Sequence, residues 1–318
     1  MHLRHHAAWL GLLTAFALAF SAPVHAQGLG NLLKKASQLD LGGSLRGHKE
    51  QITTSLKDAT FADPSRDGFQ PPVKAQPLAT LRQAGDDTFL LRPGYYTMQA
   101  QSYCLHAGTY GPGKGEGYLY APPLGPAKDL ITTIARNSAL HPEVNQHDVQ
   151  ALIWAVLARA GFRDLNPELQ RTARTLLSNE QMAAQLRGAA FDMVRERATQ
   201  ELMGRAPPQL RAVLDAEARL RSMFATGYSS FAELEQVAIL AGMAPIGVGS
   251  QDIPSGRWSR HPDGYWVRYI PSGYSSTRLE VFVEPGSTAT GKVFDPAVHV
   301  AVPGNTARQR LLQSARSH

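Results

Sequence analysis

Apolar positions change their spacing twice along this chain. Between Asp87 and Ala121 they alternate in short runs, Phe89 to Leu91 and Tyr95 to His106 around Pro93-Gly94, which predicts strands. From Ala127 to about Leu240 they recur every three or four residues, as in "AKDLITTIARNSAL" and "VQALIWAVLARAGF", which predicts helices. Alternation returns from Ile246 to Val302, where "RWSRHPDGYWVRYI" and "TRLEVFVEP" stand between prolines and glycines. The first of these predicts a hairpin turning at His261 to Gly264, with Trp266 and Arg268 on one face and Tyr265, Val267 and Tyr269 on the other. The expected class is α+β: a small antiparallel sheet with helices, a helical middle segment and a C-terminal β-rich module.

Punctuating residues set the expected boundaries. Residues 27–85 are polar and interrupted, with short amphipathic helices expected in "GLGNLLKKASQLDLGG" and "EQITTSLKDATF" before the linker "DPSRDGFQPPVKAQP". The strand and first-helix region follows as 86–165, then helices over 166–243, the β-rich module over 244–304 and a helical or frayed tail over 305–318. Asn145 is placed to cap the helix that carries Gln150, Asn166-Pro167 reads as an N-cap with proline at N1, and Ser230 with Glu233 reads as a capping box.

Residues 1–26 change the compartment. Arg4 precedes an apolar run from Ala7 to Phe20, and Val24-His25-Ala26 carries small residues at −3 and −1, the pattern of a secretory leader cleaved after Ala26. No later stretch reaches the roughly 18 apolar residues of a membrane span, so a periplasmic or secreted protein is expected. The net charge of +6 comes without a Lys/Arg cluster interleaved with aromatics, so dispersed surface charge is the reading and nucleic acid is not an expected partner. His141 and His147 lack a matching ligand set at diagnostic spacing, and neither a metal nor a cofactor is expected.

One cysteine, Cys104, stands in "QSYCLHAGTYGPGKGEGYLYAPP". It excludes an intramolecular disulfide, and in an oxidising compartment an exposed thiol is a liability. Gly108, Gly113 and Lys114 fit the spacing of a phosphate-binding loop, but Gly115 occupies the hydroxyl position and no helix pattern follows, so a turn-rich loop is the better reading. Three readings of the cysteine stay open: a buried small hydrophobe, a catalytic thiolate with His106 or His147 as base, and a thiol acylated internally. The last has a partner in "NQHDVQALIWAVL", where Gln150 lies early on a helix and its carboxamide can exchange ammonia for a thiol in a dry site.

Tyr103-Cys104, followed by glycines and a tyrosine, an Ile-containing helix and then Gln150, Ile153 and Trp154, resembles the thioester domains of bacterial surface adhesins over about residues 95–159. The resemblance implies a Cys104–Gln150 thioester, with His106 or His147 as base, that acylates amines on a surface protein or envelope polymer. Val149 and Leu152 depart from the residues usual in the family's second motif. Two further functions are carried forward. One is a non-covalent envelope structural, assembly or binding protein with a structural cysteine, using Trp258, Tyr265, Trp266 and Tyr269 as its contact surface. The other is a cysteine hydrolase.

Overall fold

The computed structural model of the chain describes residues 50–85, 88–184 and 208–317. The leader expected over 1–26 and the first amphipathic helix lie outside the described residues. In chain order the strands are β1 (Gln76–Pro77), β2 (Gln83–Gly85), β3 (Thr88–Leu90), β4 (Gly94–Cys104), β5 (Thr109–Tyr110) and β6 (Tyr118–Ala121). Helices among the described residues include α1 (Lys128–Leu140), α2 (Gln146–Leu157), α3 (Pro167–Leu176), α4 (Pro208–Thr226) and α5 (Phe231–Ala238). The chain ends in β7 (Ile239–Leu240), β8 (Ser259–Arg260), β9 (Trp266–Pro271), β10 (Ser276–Val283), β11 (Val293–Phe294), β12 (Val300–Pro303) and β13 (Leu311–Ser317).

Six strands close on themselves in the order β4-β10-β9-β6-β12-β13, and β13 pairs back to β4. Every step of that ring is antiparallel. The class is α+β as expected, but the small sheet is corrected to a barrel, a closure that leaves these strands no free edge. β4 and β6, from the region before the helices, alternate around it with strands from the end of the chain. The barrel therefore forms only when both ends of the sequence meet.

The tail expected to be helical or frayed is β13. "RLLQSARS" has helix-compatible composition, yet Leu311 and Leu312 are fully buried between β12 and β4. Burial of their side chains and a two-sided ladder outweigh a propensity difference of a few tenths of a kcal/mol per residue. The helix expected in "EQITTSLKDATF" is an extended run ending in a 3-10 turn at Leu56–Asp58. There Thr54 Oγ1 donates to Pro122 O and accepts from Leu124 N–H, while Thr53 N–H donates to Leu124 O, so side-chain and backbone bonds to a neighbouring segment replace the helical ones.

The expected hairpin is present: β8 pairs with β9, and Gly264 N–H donates to His261 O at the turn. Both of its faces are buried, which removes the contact surface. Trp258, Tyr265, Trp266 and Tyr269 are 0, 1, 4 and 0 % exposed. Trp258, Trp266, Tyr95 and Phe282 form their own apolar cluster with half-buried Phe69, and the Arg268 guanidinium lies 4.4 Å over the Trp258 ring while it pairs with Glu280. These aromatics pack the barrel wall.

From Val149 to Leu157 every residue of α2 except Gln150 is apolar and all are buried, as in a central helix. Asn145 Oδ1 accepts from His147 N–H and caps it, as expected, and Asn166 Oδ1 accepts from Leu169 N–H at the start of α3. Ser230 precedes α5 without capping it through its side chain, and Glu233 instead accepts from Ser229 N–H. No helix among the described residues is long and apolar enough to cross a membrane.

Candidate functional site

Cys104 is the last residue of β4, and its backbone needs a partner that no strand provides. Leu105 N–H donates to Arg310 O, so the Cys104–Leu311 position is a non-hydrogen-bonded one in the β4–β13 ladder. The N–H and C=O of Cys104 therefore point to the β10 side. β10 stops short, with Ser276 opposite Gln101. Gln150 fills the gap. Cys104 N–H donates to its Oε1 at 2.7 Å, and its Nε2 donates to Cys104 O at 3.3 Å, so the carboxamide takes the place of a strand peptide. Cys104 is 0 % and Gln150 2 % exposed.

The register between helix and strand follows from their rises. Gln146 and Gln150 are four residues apart on α2, about 6.0 Å along its axis, and Ser102 and Cys104 are two apart on β4, about 6.6 Å. The match lets both glutamines lie along one strand end. Gln146 Nε2 donates to Ser275 O at 2.7 Å and to Ser102 O at 3.4 Å, one step before the Gln150 pair.

Two further side chains come to this place that the sequence reading missed. Tyr274 sits at the tip of the β9–β10 hairpin. Its carbonyl accepts from Ser102 Oγ at 2.9 Å, and its hydroxyl donates to a Glu235 carboxylate oxygen on α5. α5 runs directly into β7, which pairs with β5 shortly after Cys104, while Gly108 N–H donates to Ala238 O. The end of α5 is thus tied to the chain that leaves the cysteine. At its other end Phe231 stacks between His147, ring centroids 4.1 Å apart, and Trp154, 5.3 Å apart. The glycine loop read as turn-rich has a packing role here: Gly108 has φ +74°, and a Cβ there would lie 2.5 Å from Ala212 O on α4.

Electrostatics keep the thiol protonated. Burial pushes the Cys104 pKa well up, and the nearby Glu235 charge adds to the effect. Tyr274 is pushed up by burial first, then by its bond to Glu235 and the charges of Glu235 and Cys104. The Tyr118 hydroxyl, fully buried and without a hydrogen-bond partner, is raised mainly by burial, then by Glu116, with the smallest contribution from Cys104.

The two histidines expected as bases go elsewhere. His106 is half-buried, and desolvation, then Arg310, lower its pKa to about 4 against the opposing pull of Glu50, whose Oε1 lies 3.7 Å from Nε2. His147 is exposed and stacked on Phe231. Neither has a hydrogen bond or ion pair to Cys104 or Gln150. Among the described residues no group of three or more His, Cys, Asp and Glu side chains is arranged to hold a metal ion. The order of the two motifs led to an expected contact between the Cys104 thiol and Gln150, and the hydrogen bonds between the two residues run through the Cys104 backbone; Glu235 and Tyr274 carried no sequence signal of their own. Compared with protein-family models, with curated proteins and with solved structures, the chain matches none.

Proposed function

We propose that Cys104 and Gln150 form an internal thioester, and that the exported chain uses it to acylate an amine on a surface protein or envelope polymer. The observation that carries this reading is the double hydrogen bond between the Gln150 carboxamide and the Cys104 backbone inside a fully buried site. It holds the electrophilic carbon beside the residue that bears the thiol, where intramolecular attack gains from orientation and loses nothing to competing water. Cys104 N–H, 2.7 Å from Oε1, is also placed to stabilise the oxyanion when the carbonyl becomes tetrahedral. In closure the Sγ–Cδ bond forms, the Cδ–Nε2 bond breaks and ammonia leaves. An amine then attacks Cδ, forms a substituted amide and returns the thiol.

The same two hydrogen bonds also favour a second reading, in which Gln150 only completes the sheet beyond β10 and the protein binds its envelope partner non-covalently. Cysteine hydrolysis has less support, because the thiol is held protonated and neither His106 nor His147 is bonded to it. Intact mass separates the readings. Secreted protein should be lighter than its sequence by one ammonia, and methylamine should replace that deficit with an adduct on Gln150. Cys104→Ala should abolish both. Full mass before treatment, with a thiol that alkylates only after denaturation, would refute the thioester and select the structural cysteine.

A further inference from the structure

We infer that Glu235, aimed by Tyr274, is the proton carrier of the Cys104–Gln150 site; the inference rests on the thioester reading and adds the group that moves its protons. Closure requires one proton to pass from Cys104 Sγ to the departing Gln150 nitrogen. Aminolysis by an alkylammonium requires two to leave the incoming nitrogen: one ends on Sγ as the Sγ–Cδ bond breaks, and the other goes to solvent. Burial suppresses the thiol's own ionisation, so closure needs a base at hand, and aminolysis needs one to take a proton from the incoming ammonium.

Three attachments bring a carboxylate there. The Tyr274 hydroxyl donates to Glu235, and the Tyr274 carbonyl is held by Ser102 Oγ, two residues before Cys104 and on the same face of β4. Gln146, one turn before Gln150, holds the adjacent carbonyl of Ser275. The union of β7 with β5 and the Gly108–Ala238 bond fasten the end of α5 beside the strand that carries the cysteine. Glu235 and Tyr274 are both half-buried, so a proton held on the carboxylate can be exchanged with solvent. The titratable groups tied to Glu235 are Tyr274 on the hairpin and Cys104 on β4, and His147 on α2 stacks on Phe231 one turn before it. In closure the thiol proton passes to Glu235 and then to the leaving nitrogen. Aminolysis uses the same carboxylate in the opposite direction.

The test uses the full secreted chain at one fixed pH, with methylamine as probe and thiol release and intact mass as readouts. Wild type should show the ammonia deficit and a measurable methylamine rate. Glu235→Gln should either retain its ammonia or react about 100-fold more slowly. Tyr274→Phe keeps the carboxylate but not its aiming bond, so it should close and react several-fold more slowly. A closed Glu235→Gln protein with the wild-type rate would overturn the inference while leaving the thioester intact. If Glu235→Gln does not fold, Tyr274→Phe decides: a slower rate supports the carrier, and an unchanged rate overturns it. Absence of the deficit in wild type would be failure of the thioester reading itself.

Discussion

Gln150 should be a stability residue whether or not its carboxamide reacts, and the structure sets the size of the effect. The perturbation is Gln150→Ala in a Cys104→Ala background, where no thioester can form. Truncation leaves the N–H and C=O of residue 104 without partners at a buried strand end beyond the reach of β10. Each buried unsatisfied group costs about 1–3 kcal/mol, and the lost apolar stem adds about 0.8 kcal/mol per methylene. The sum is about 3–6 kcal/mol after partial relaxation, a large share of the roughly 5–15 kcal/mol that holds a folded domain together. The assay is urea unfolding followed by far-UV circular dichroism: the midpoint should fall strongly while the slope stays constant. Gln146→Ala, which removes donors to two carbonyls at a half-buried position, should cost only about 1 kcal/mol. A loss below 1 kcal/mol for Gln150→Ala would refute the strand-completion argument. Gln150→Glu extends it, because an ionised carboxylate can accept from the 104 N–H but has no proton to donate to the 104 carbonyl. Its folded pKa should therefore lie above the unfolded value of about 4.3, so the variant is most stable below that value and weakens as pH rises through the folded pKa.

Two further outcomes follow from the barrel. His299 is 1 % exposed, with Nε2 2.6 Å from the Tyr265 hydroxyl, and burial, then His261, lower its pKa from 6.5 to about 3. The unfolded chain thus binds more protons between those values, so this contribution is complete above pH 6.5 and fades as pH falls, by up to about 1.4 kcal/mol per pH unit. Melting temperature against pH should be flatter in His299→Gln, and an identical slope would contradict the assignment. Deleting residues 311–318 exposes β4 and β12 as edges and removes two leucines, each contributing about 1.5–3 kcal/mol by burial, so the truncated chain should lose cooperative melting. A sharp transition in the truncated protein would show that β13 is dispensable.

Local rules carried much of this chain by themselves. Helix periodicity and the Asn145 and Asn166 caps located α2 and α3, and the Pro-Asp-Gly turn located the β8–β9 hairpin, because each depends on residues within a few positions of one another. The order of Tyr103-Cys104 and Gln150 placed the candidate pair on strand and helix before any contact was known. Tertiary structure decided what those rules cannot reach. A helix-compatible tail became β13 because only a strand there closes β4 against β12, and the aromatic hairpin lost its proposed surface because the 61–75 segment and the Arg268–Glu280 pair cover its second face. Glu235 and Tyr274 are invisible as neighbours in sequence. They meet because α5 is tied behind Cys104 by β7 and because a short β10 leaves a gap that α2, with glutamines at the spacing of alternate strand residues, is able to fill.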